Sequence, residues 1–236
     1  MASPSPDLTF VLLFFFFFGA AEFKFYPRSW ILPAQSSSFY TYADELKRRG
    51  KTRTFITKPV ASAQGKGISL ARSASQIAGG EEMLVQEYMS RPFLIDGYKF
   101  DLRVYVLVTS VDPLRVFMFN DGLVRLSTKR YKAPSNSNID QLFMHLTNYS
   151  VNKNNEDFEH TDAIDQGSKR TIKWLNEWLG ANGHNVVELW DQVAHVINKT
   201  VSRLSSRNER MTMMMMMMAM IREEICYEWM VVLFLK

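Results

Sequence analysis

The sequence predicts an α+β fold, and three observations carry that prediction. The first half of the chain reads as a series of strands, and from Tyr98 polar and apolar residues alternate with a period of two. Beyond Gly167 the apolar residues recur instead at spacings of three and four, the period of a helix face. Strands therefore come first and helices follow, which differs from the repeating strand–helix–strand of a parallel sheet. The third observation is composition. With 47% hydrophobic residues in 236, the chain can bury a sizeable core as one large domain or two small ones, and wholesale disorder is excluded.

In chain order, Phe23 to Pro33 is an aromatic segment bounded by prolines, and Tyr42 to Arg49 suits a short helix. Phe55 to Lys58 and Ile68 to Ala71 read as strands on either side of a glycine-containing loop. Met83 to Met89 is a third strand, and Tyr98 to Thr109 a fourth, long and rich in β-branched and aromatic residues. Leu114 to Asn120 and Leu123 to Thr128 flank Asp121-Gly122, a dipeptide favoured in two-residue hairpins. Lys169 to Leu179 reads as a helix with Ile172, Leu175 and Leu179 on one face. Val187, Trp190, Val193, Ala194, Ile197, Val201 and Leu204 mark a second, amphipathic one, and Gly167-Ser168 and Ala181-Asn182-Gly183 punctuate the pair.

Both ends are unusual. Leu8 to Ala21 carries no charge and centres on five phenylalanines, Phe14 to Phe18. At 14 residues it is short of the ~20 that span a bilayer. A secretory leader wants a basic start, whereas the only charge ahead of the run is Asp7, so a non-native start is the stronger expectation. Met213 to Met218 has no periodicity and reads as low-complexity sequence. The single cysteine, Cys226, excludes a disulfide framework and a multi-cysteine zinc site, and it fits a reducing compartment. A net charge of +4 fits an acidic partner but is too weak to argue for nucleic acid. The basic run Lys47-Arg48-Arg49-Gly50-Lys51-Thr52-Arg53 is either a solvated connection or a contact for an acidic substrate.

Two constellations could carry chemistry. In Lys58-Pro59 followed by Gly65-Lys66-Gly67, proline keeps Lys58 extended at a strand end, and the glycines let backbone N–H groups approach a phosphate. This is neither a Walker A loop, since no Lys-Ser/Thr pair follows, nor a kinase pattern, since the lysine precedes the glycine-rich loop. In Tyr98-Lys99-Phe100-Asp101-Leu102-Arg103-Val104, the period of two puts Lys99, Asp101 and Arg103 on one face. Tyr98, Phe100, Leu102, Val104, Val106 and Val108 share the other, toward a core. Charges in such a strand are costly unless paired or employed. They form either a self-satisfied ladder or a nucleotide face, with a cation for phosphate or base, an acid for ribose and an arginine for the transferred phosphoryl group. Arg125 could add a second phosphate cation. His145, in a polar run that extends to Lys153, reads as a hydrogen-bonded structural residue before a general base.

From about Phe25 to Arg203 the chain resembles the tubulin–tyrosine ligase-like proteins, and most closely their polyglutamylase branch. The residues that carry the resemblance are Lys58-Pro59-Val60-Ala61-Ser62 with Gly65-Lys66-Gly67-Ile68, Ile95 to Val108, Gly122-Leu123-Val124-Arg125, and Met144 to Lys153. The resemblance implies an ATP-grasp fold with ATP between two α+β lobes. It divides the chain into a non-homologous apolar stretch (1–22), a partial ATP-grasp ligase domain (23–205) and a divergent, low-complexity end (206–236). It also implies that Lys58 contacts phosphate and that the loop around Gly65, Lys66 and Gly67 closes over the phosphates. Gln86, Glu87, Tyr88 and Met89 would form the adenine-side hinge, and Lys99 and Asp101 would hold base and ribose. Arg103 and Arg125 would act on the γ-phosphoryl group in transit, with Asn148 and Lys153 beside the phosphates and acceptor. The implied reaction activates a glutamate side chain on an acidic tubulin tail as an acyl-phosphate, which free glutamate then displaces. Partners would be tubulin tails and microtubules, with no nucleic acid or membrane, and the setting the cytoplasm and cytoskeleton, including cilium or basal body.

Departures from the family pattern bear on Mg²⁺. Family members continue into a Cys-Phe-Glu-x-x-Gly-Phe-Asp strand and a Leu-Leu-Glu-Val-Asn segment whose Asp, Glu and Asn hold the metal. Here Cys226-Tyr227-Glu228 fits, but Leu233 stands at the position of the metal Asp, and the later Glu and Asn have no counterpart before Lys236. No metal ligand is assigned on this chain. The expectation is an impaired, truncated copy of the ligase. The alternatives are a non-catalytic nucleotide- or tubulin-binding fragment and a glycylating or tyrosinating ligase.

Overall fold

The computed structural model describes residues 25–59, 67–77, 80, 82–111, 113–153, 155–156, 158, 165–204 and 229–233. The Phe-rich and Met-rich runs, Gly65, Lys66 and Cys226 lie outside the described residues. The chain forms two compact units, one of residues up to Lys99 together with Ser127–Phe158, the other of Phe100–Leu126 with Glu159–Leu235.

The first unit is built on a four-stranded antiparallel sheet in the order β1-β4-β2-β3, where β1 is Ser29–Leu32, β2 Phe55–Pro59, β3 Ser69–Ala71 and β4 Met83–Glu87. Helix α1, Ser36–Arg48, packs on β1. It begins six residues before the expected Tyr42, because Phe39 and Leu46, seven apart and thus on one face, are both buried. Phe39 is fully buried, with its ring edge-on to Trp30 and to Phe55 at 5.3 Å each, so a truncation to alanine there would cost about 3–5 kcal/mol. The helix ends in a Schellman motif. Gly50 takes φ +62°, its N–H donates to the Lys47 carbonyl at 3.0 Å, and the Lys51 N–H donates to that of Leu46 at 2.9 Å. The whole basic run Lys47–Arg53 is exposed, with Arg49 3.7 Å from Glu45 and Arg53 3.7 Å from Glu87.

Still in the first unit, β5 (Leu94–Ile95) pairs with Tyr98 and Lys99 across a turn in which Asp96 and Gly97 both have positive φ. Arg130 braces that turn by donating to the Asp96 carbonyl at 2.9 Å. Short helices α2 (Leu142–His145) and α3 (Tyr149–Asn152) follow in the same unit. Asn152, almost fully buried, ties this region together. Its carbonyl oxygen accepts from the Thr128 N–H and hydroxyl, at 3.1 and 2.9 Å, and its amide donates to the carbonyls of Leu146 and Asn148, at 2.8 and 3.0 Å.

The second unit is a sheet in the order β8-β7-β6-β9, in which β6 is Tyr98–Val111, β7 Leu114–Leu126, β8 Lys169–Thr171 and β9 Trp229–Leu233, all pairs antiparallel. The alternation in β6 is as the sequence predicts: Phe100, Leu102, Val104, Val106 and Val108 are all buried. Helix α4, Ile172–Ala181, packs on β7 and β8, and α5, Val186–Leu204, packs on β7 and α4. Ile172, Leu175, Leu179, Val193, Ile197 and Val201 are buried as expected, whereas Val187 is exposed at the first turn of α5.

The hairpin expected at Asp121-Gly122 is a correction. Strands β6 and β7 instead stay paired up to Val111 opposite Leu114, and β7 runs straight through the Asp-Gly pair. Gly122 stands opposite Val104, and the ladder slips between Val104 and Val106, so residues 119–121 form a bulge. Asp121 serves this bulge: one carboxylate oxygen accepts from the N–H of Gly122 at 2.8 Å and from that of Ile172 at 3.1 Å, bracing the start of α4. Thr171 caps the same helix, its hydroxyl accepting from the Trp174 N–H at 3.1 Å. This extended cap explains why α4 starts at Ile172 and not at the expected Lys169. A Cβ at Gly122 would stand 2.3 Å from the Arg103 carbonyl oxygen, so glycine is required there by close approach of the two strands.

Candidate functional site

In the first unit, β2 ends in Lys58-Pro59, with Lys58 half-buried opposite Leu84. The chain returns to the described residues at Gly67, whose φ of +71° suits glycine and whose absent Cβ would lie 2.7 Å from Pro59 Cγ. Gly67 therefore lies against the end of β2. Gly65 and Lys66, between Pro59 and Gly67, lie outside the described residues.

Gln86 and Glu87 end β4, and Tyr88 and Met89 follow it. The Gln86 amide donates to the Ser29 hydroxyl at 2.8 Å. Glu87 donates its N–H to the Arg28 carbonyl, and Tyr88 its own to that of Thr54, both at 2.8 Å. The Glu87 carboxylate accepts from the Tyr42 hydroxyl. Met89 is half-buried.

Lys99 is buried and not at a surface. Its ammonium donates to the Tyr88 hydroxyl at 3.0 Å and to the His145 carbonyl at 2.8 Å, and stands 4.3 Å over the Tyr88 ring. Tyr88 donates in turn to the His145 carbonyl at 3.0 Å. Burial, and then the neighbouring Tyr131 phenol, raise the Tyr88 pKa far above the usual value, while burial pushes Tyr131 up to about 12. Both phenols keep their protons at any physiological pH.

His145 is fully buried, edge-on to Tyr88 and Tyr131 at 5.9 and 6.0 Å. Its Nε2 lies 3.0 Å from the Asn138 carbonyl, which can only accept, so Nε2 carries the proton, and Nδ1 meets no partner among the described residues. Burial lowers its pKa, the Asn138 bond opposes this, and the Lys99 ammonium adds to the lowering. It is the neutral, hydrogen-bonded residue the sequence suggests. Asn148 is half-buried and Lys153 exposed, flanking α3.

In the second unit, Asp101 and Arg125 are directly opposed across β6 and β7. The guanidinium grips the carboxylate in a fork, Nε to one oxygen at 2.8 Å and Nη2 to the other, with side chains 9% and 0% exposed. Arg103, half-buried, stands opposite Leu123 and is thus a diagonal neighbour of Arg125. The charged face is therefore partly a self-satisfied ladder, as one of the two readings allowed. The fork uses two of the five N–H groups of Arg125, leaving three that could meet an anion while Asp101 stays bound. In β9 the backbone register sets Leu233 opposite Leu102 and Val232 opposite Arg103. Among the described residues, no group of three or more His, Cys, Asp or Glu is arranged to hold a metal ion, and no helix is long and apolar enough to cross a membrane.

The sequence did not single out Tyr131 or Tyr42, because their partners, Tyr88 and Glu87, are 43 and 45 residues away along the chain and no local pattern joins them. Asn152 was visible only as one polar residue among several.

Each unit is an antiparallel sheet with helices, an α+β arrangement, and its buried cation, Lys99 in the first and Arg125 in the second, is held by groups of its own unit. The chain belongs to the Tubulin-tyrosine ligase family, which it matches over residues 17–235. It is 51% identical over 180 residues to tubulin polyglutamylase TTLL7 of Xenopus tropicalis, covering 76% of this chain and 20% of that protein. With TTLL7 of Homo sapiens the identity is 50% over the same shares. With tubulin polyglutamylase TTLL13 of Mus musculus it is 47%, covering 76% of this chain and 22% of the relative. The chain thus spans about a fifth of the length of these relatives.

Proposed function

We propose that the chain is part of an ATP-grasp ligase that adds glutamate to glutamate side chains of tubulin tails. The observation that carries this reading is the identity of about half over 180 residues to proteins named tubulin polyglutamylases. In the proposed reaction a tail carboxylate attacks the γ-phosphorus of ATP, ADP leaves, and the amine of free glutamate displaces phosphate from the acyl-phosphate. The rate enhancement comes from positioning and charge neutralisation, with no protein nucleophile.

On this reading Lys58 and the Gly65–Gly67 loop bind phosphate, Gln86–Met89 line the adenine, and Lys99 meets the base. Burial fixes the Lys99 ammonium in direction. Asp101 binds ribose with the oxygen lone pairs that Arg125 leaves open, and Arg125 and Arg103 stabilise the phosphoryl group in flight. Asn148 and Lys153 serve phosphate and acceptor. The setting is the cytoplasmic cytoskeleton, in cilia or basal bodies. ATP would bring Mg²⁺ with it, but the described residues do not fit a metal site: no carboxylate cluster is grouped for one and Asp101 is held by Arg125. No step is assigned to the metal.

Incubation of the chain with tubulin, ATP, Mg²⁺ and labelled glutamate, glycine or tyrosine tests the proposal. Glutamate incorporation into tubulin supports it. Preferential glycine or tyrosine incorporation replaces it with a sister activity. Retained nucleotide or tubulin binding without incorporation assigns a non-catalytic binding module.

A further inference from the structure

Glu87 is held more firmly than its place at the end of a strand requires. The sheet releases the chain there: the last backbone bonds are from Glu87 N to Arg28 O and from Tyr88 N to Thr54 O, both at 2.8 Å. Beyond them, side chains govern how this segment is turned about its own axis. Successive side chains of an extended segment point to opposite sides. Tyr88 is fixed on one side by Lys99 and the His145 carbonyl. Glu87 is fixed on the other by Tyr42 of α1, whose hydroxyl donates to its carboxylate. Arg53 stands 3.7 Å from the same carboxylate oxygen, with its side chain 53% exposed, a geometry that contributes little.

Tyr42 is itself well seated. Its ring lies 5.1 Å from that of Trp30, within the core under α1, and the Arg28 guanidinium stacks over it at 4.8 Å. Burial and then the Glu87 carboxylate raise its pKa, so the hydroxyl remains a donor throughout the working range.

We propose that Tyr42 is a positioning residue for the nucleotide base: through Glu87 it fixes the backbone of Gln86–Met89 in the orientation that accepts adenine. This rests on the reading of Gln86–Met89 as the adenine-side segment. Without the hydroxyl, the Glu87 carboxylate keeps among the described residues only the weak Arg53 pair, and the segment, held then by its backbone bonds alone on this side, gains freedom that adenine binding must remove.

Tyr42→Phe tests this on the full chain, because it retains the ring, its packing on Trp30 and its stacking with Arg28. Equilibrium binding of a fluorescent ATP analogue, competed by ATP, ADP and inorganic triphosphate, gives the readout, with Tm measured alongside. Tyr42→Phe is expected to weaken ATP and ADP by a common factor of about three to ten, with triphosphate competition unchanged and Tm lowered by no more than about 10 °C. Unchanged ATP affinity in Tyr42→Phe overturns the proposal. So does equal weakening of ATP and triphosphate with a lowered Tm, which would make Tyr42 merely structural. A parent chain that binds triphosphate but gains nothing from the adenosine moiety refutes the adenine-side reading itself.

Discussion

Separating Asp101 from Arg125 should be among the most damaging changes to the second unit. Asp101→Asn keeps the shape of the side chain but leaves the guanidinium, 9% exposed, without its countercharge in a sheet whose other face is apolar. Removing one partner of a buried pair costs about 3–5 kcal/mol, mostly as the desolvation of the charge left behind. At about 2–4 °C per kcal/mol for a chain of this size, the melting temperature should fall by roughly 6–20 °C. Replacing both partners, as in Asp101→Leu with Arg125→Met, removes the stranded charge, so the double variant should recover most of the loss. Denaturant unfolding by circular dichroism of the parent, Asp101→Leu, Arg125→Met and the double variant gives the four corners of this cycle, and amide hydrogen exchange localises the loss to β6 and β7. Single variants within about 1 kcal/mol of the parent and a strictly additive double variant would refute the reasoning, because an exposed, independent pair behaves that way.

Three further expectations can be checked separately. The folded-state pKa of His145 lies below its ordinary 6.5, so the unfolded chain binds more protons between those two values. The stability contributed by neutral His145 is therefore complete above pH 6.5 and declines as pH falls toward the folded-state pKa; His145→Gln should flatten that limb of a denaturation-midpoint profile. Asn152→Ala breaks four hydrogen bonds at a buried position and should cost about 2–4 kcal/mol, while Asn152→Asp, which turns an acceptor toward the carbonyls of Leu146 and Asn148, should unfold more readily still by the same assay. Charge reversal at Lys47, Arg48 and Lys51 should weaken cosedimentation with microtubules several-fold at low ionic strength and much less at high; equal binding at low salt would remove the acidic-tail role of that run.

The sequence was most legible where its periodicity was longest. The alternation through β6 places Lys99, Asp101 and Arg103 together, and that pattern needs no knowledge of distant residues. What each charge meets could not be read. Lys99 bonds to groups 11 and 46 residues away, and Asp101 is met from 24 residues away. The Asp121-Gly122 reading failed for a related reason. Hairpin preferences describe four adjacent residues, whereas here Asp121 answers to Ile172, 51 residues on, and Gly122 to the carbonyl of a neighbouring strand. Strand β1 was hidden because four residues between prolines are too few to display a period.

The approach of Gly122 to the Arg103 carbonyl bears on how variants of this protein should be interpreted. Position 122 offers no side chain to any substrate, yet a methyl group there must displace the backbone that carries Arg103, three residues from Arg125 on its own strand. If Arg103 and Arg125 act on phosphate as proposed, such a variant would look in an activity screen like the loss of one of those arginines. Diagnosis then belongs to the sheet and not to the chemistry: restored activity from a compensating change at Ile172, the other neighbour within 3 Å of the missing Cβ, would separate a spacer from a participant.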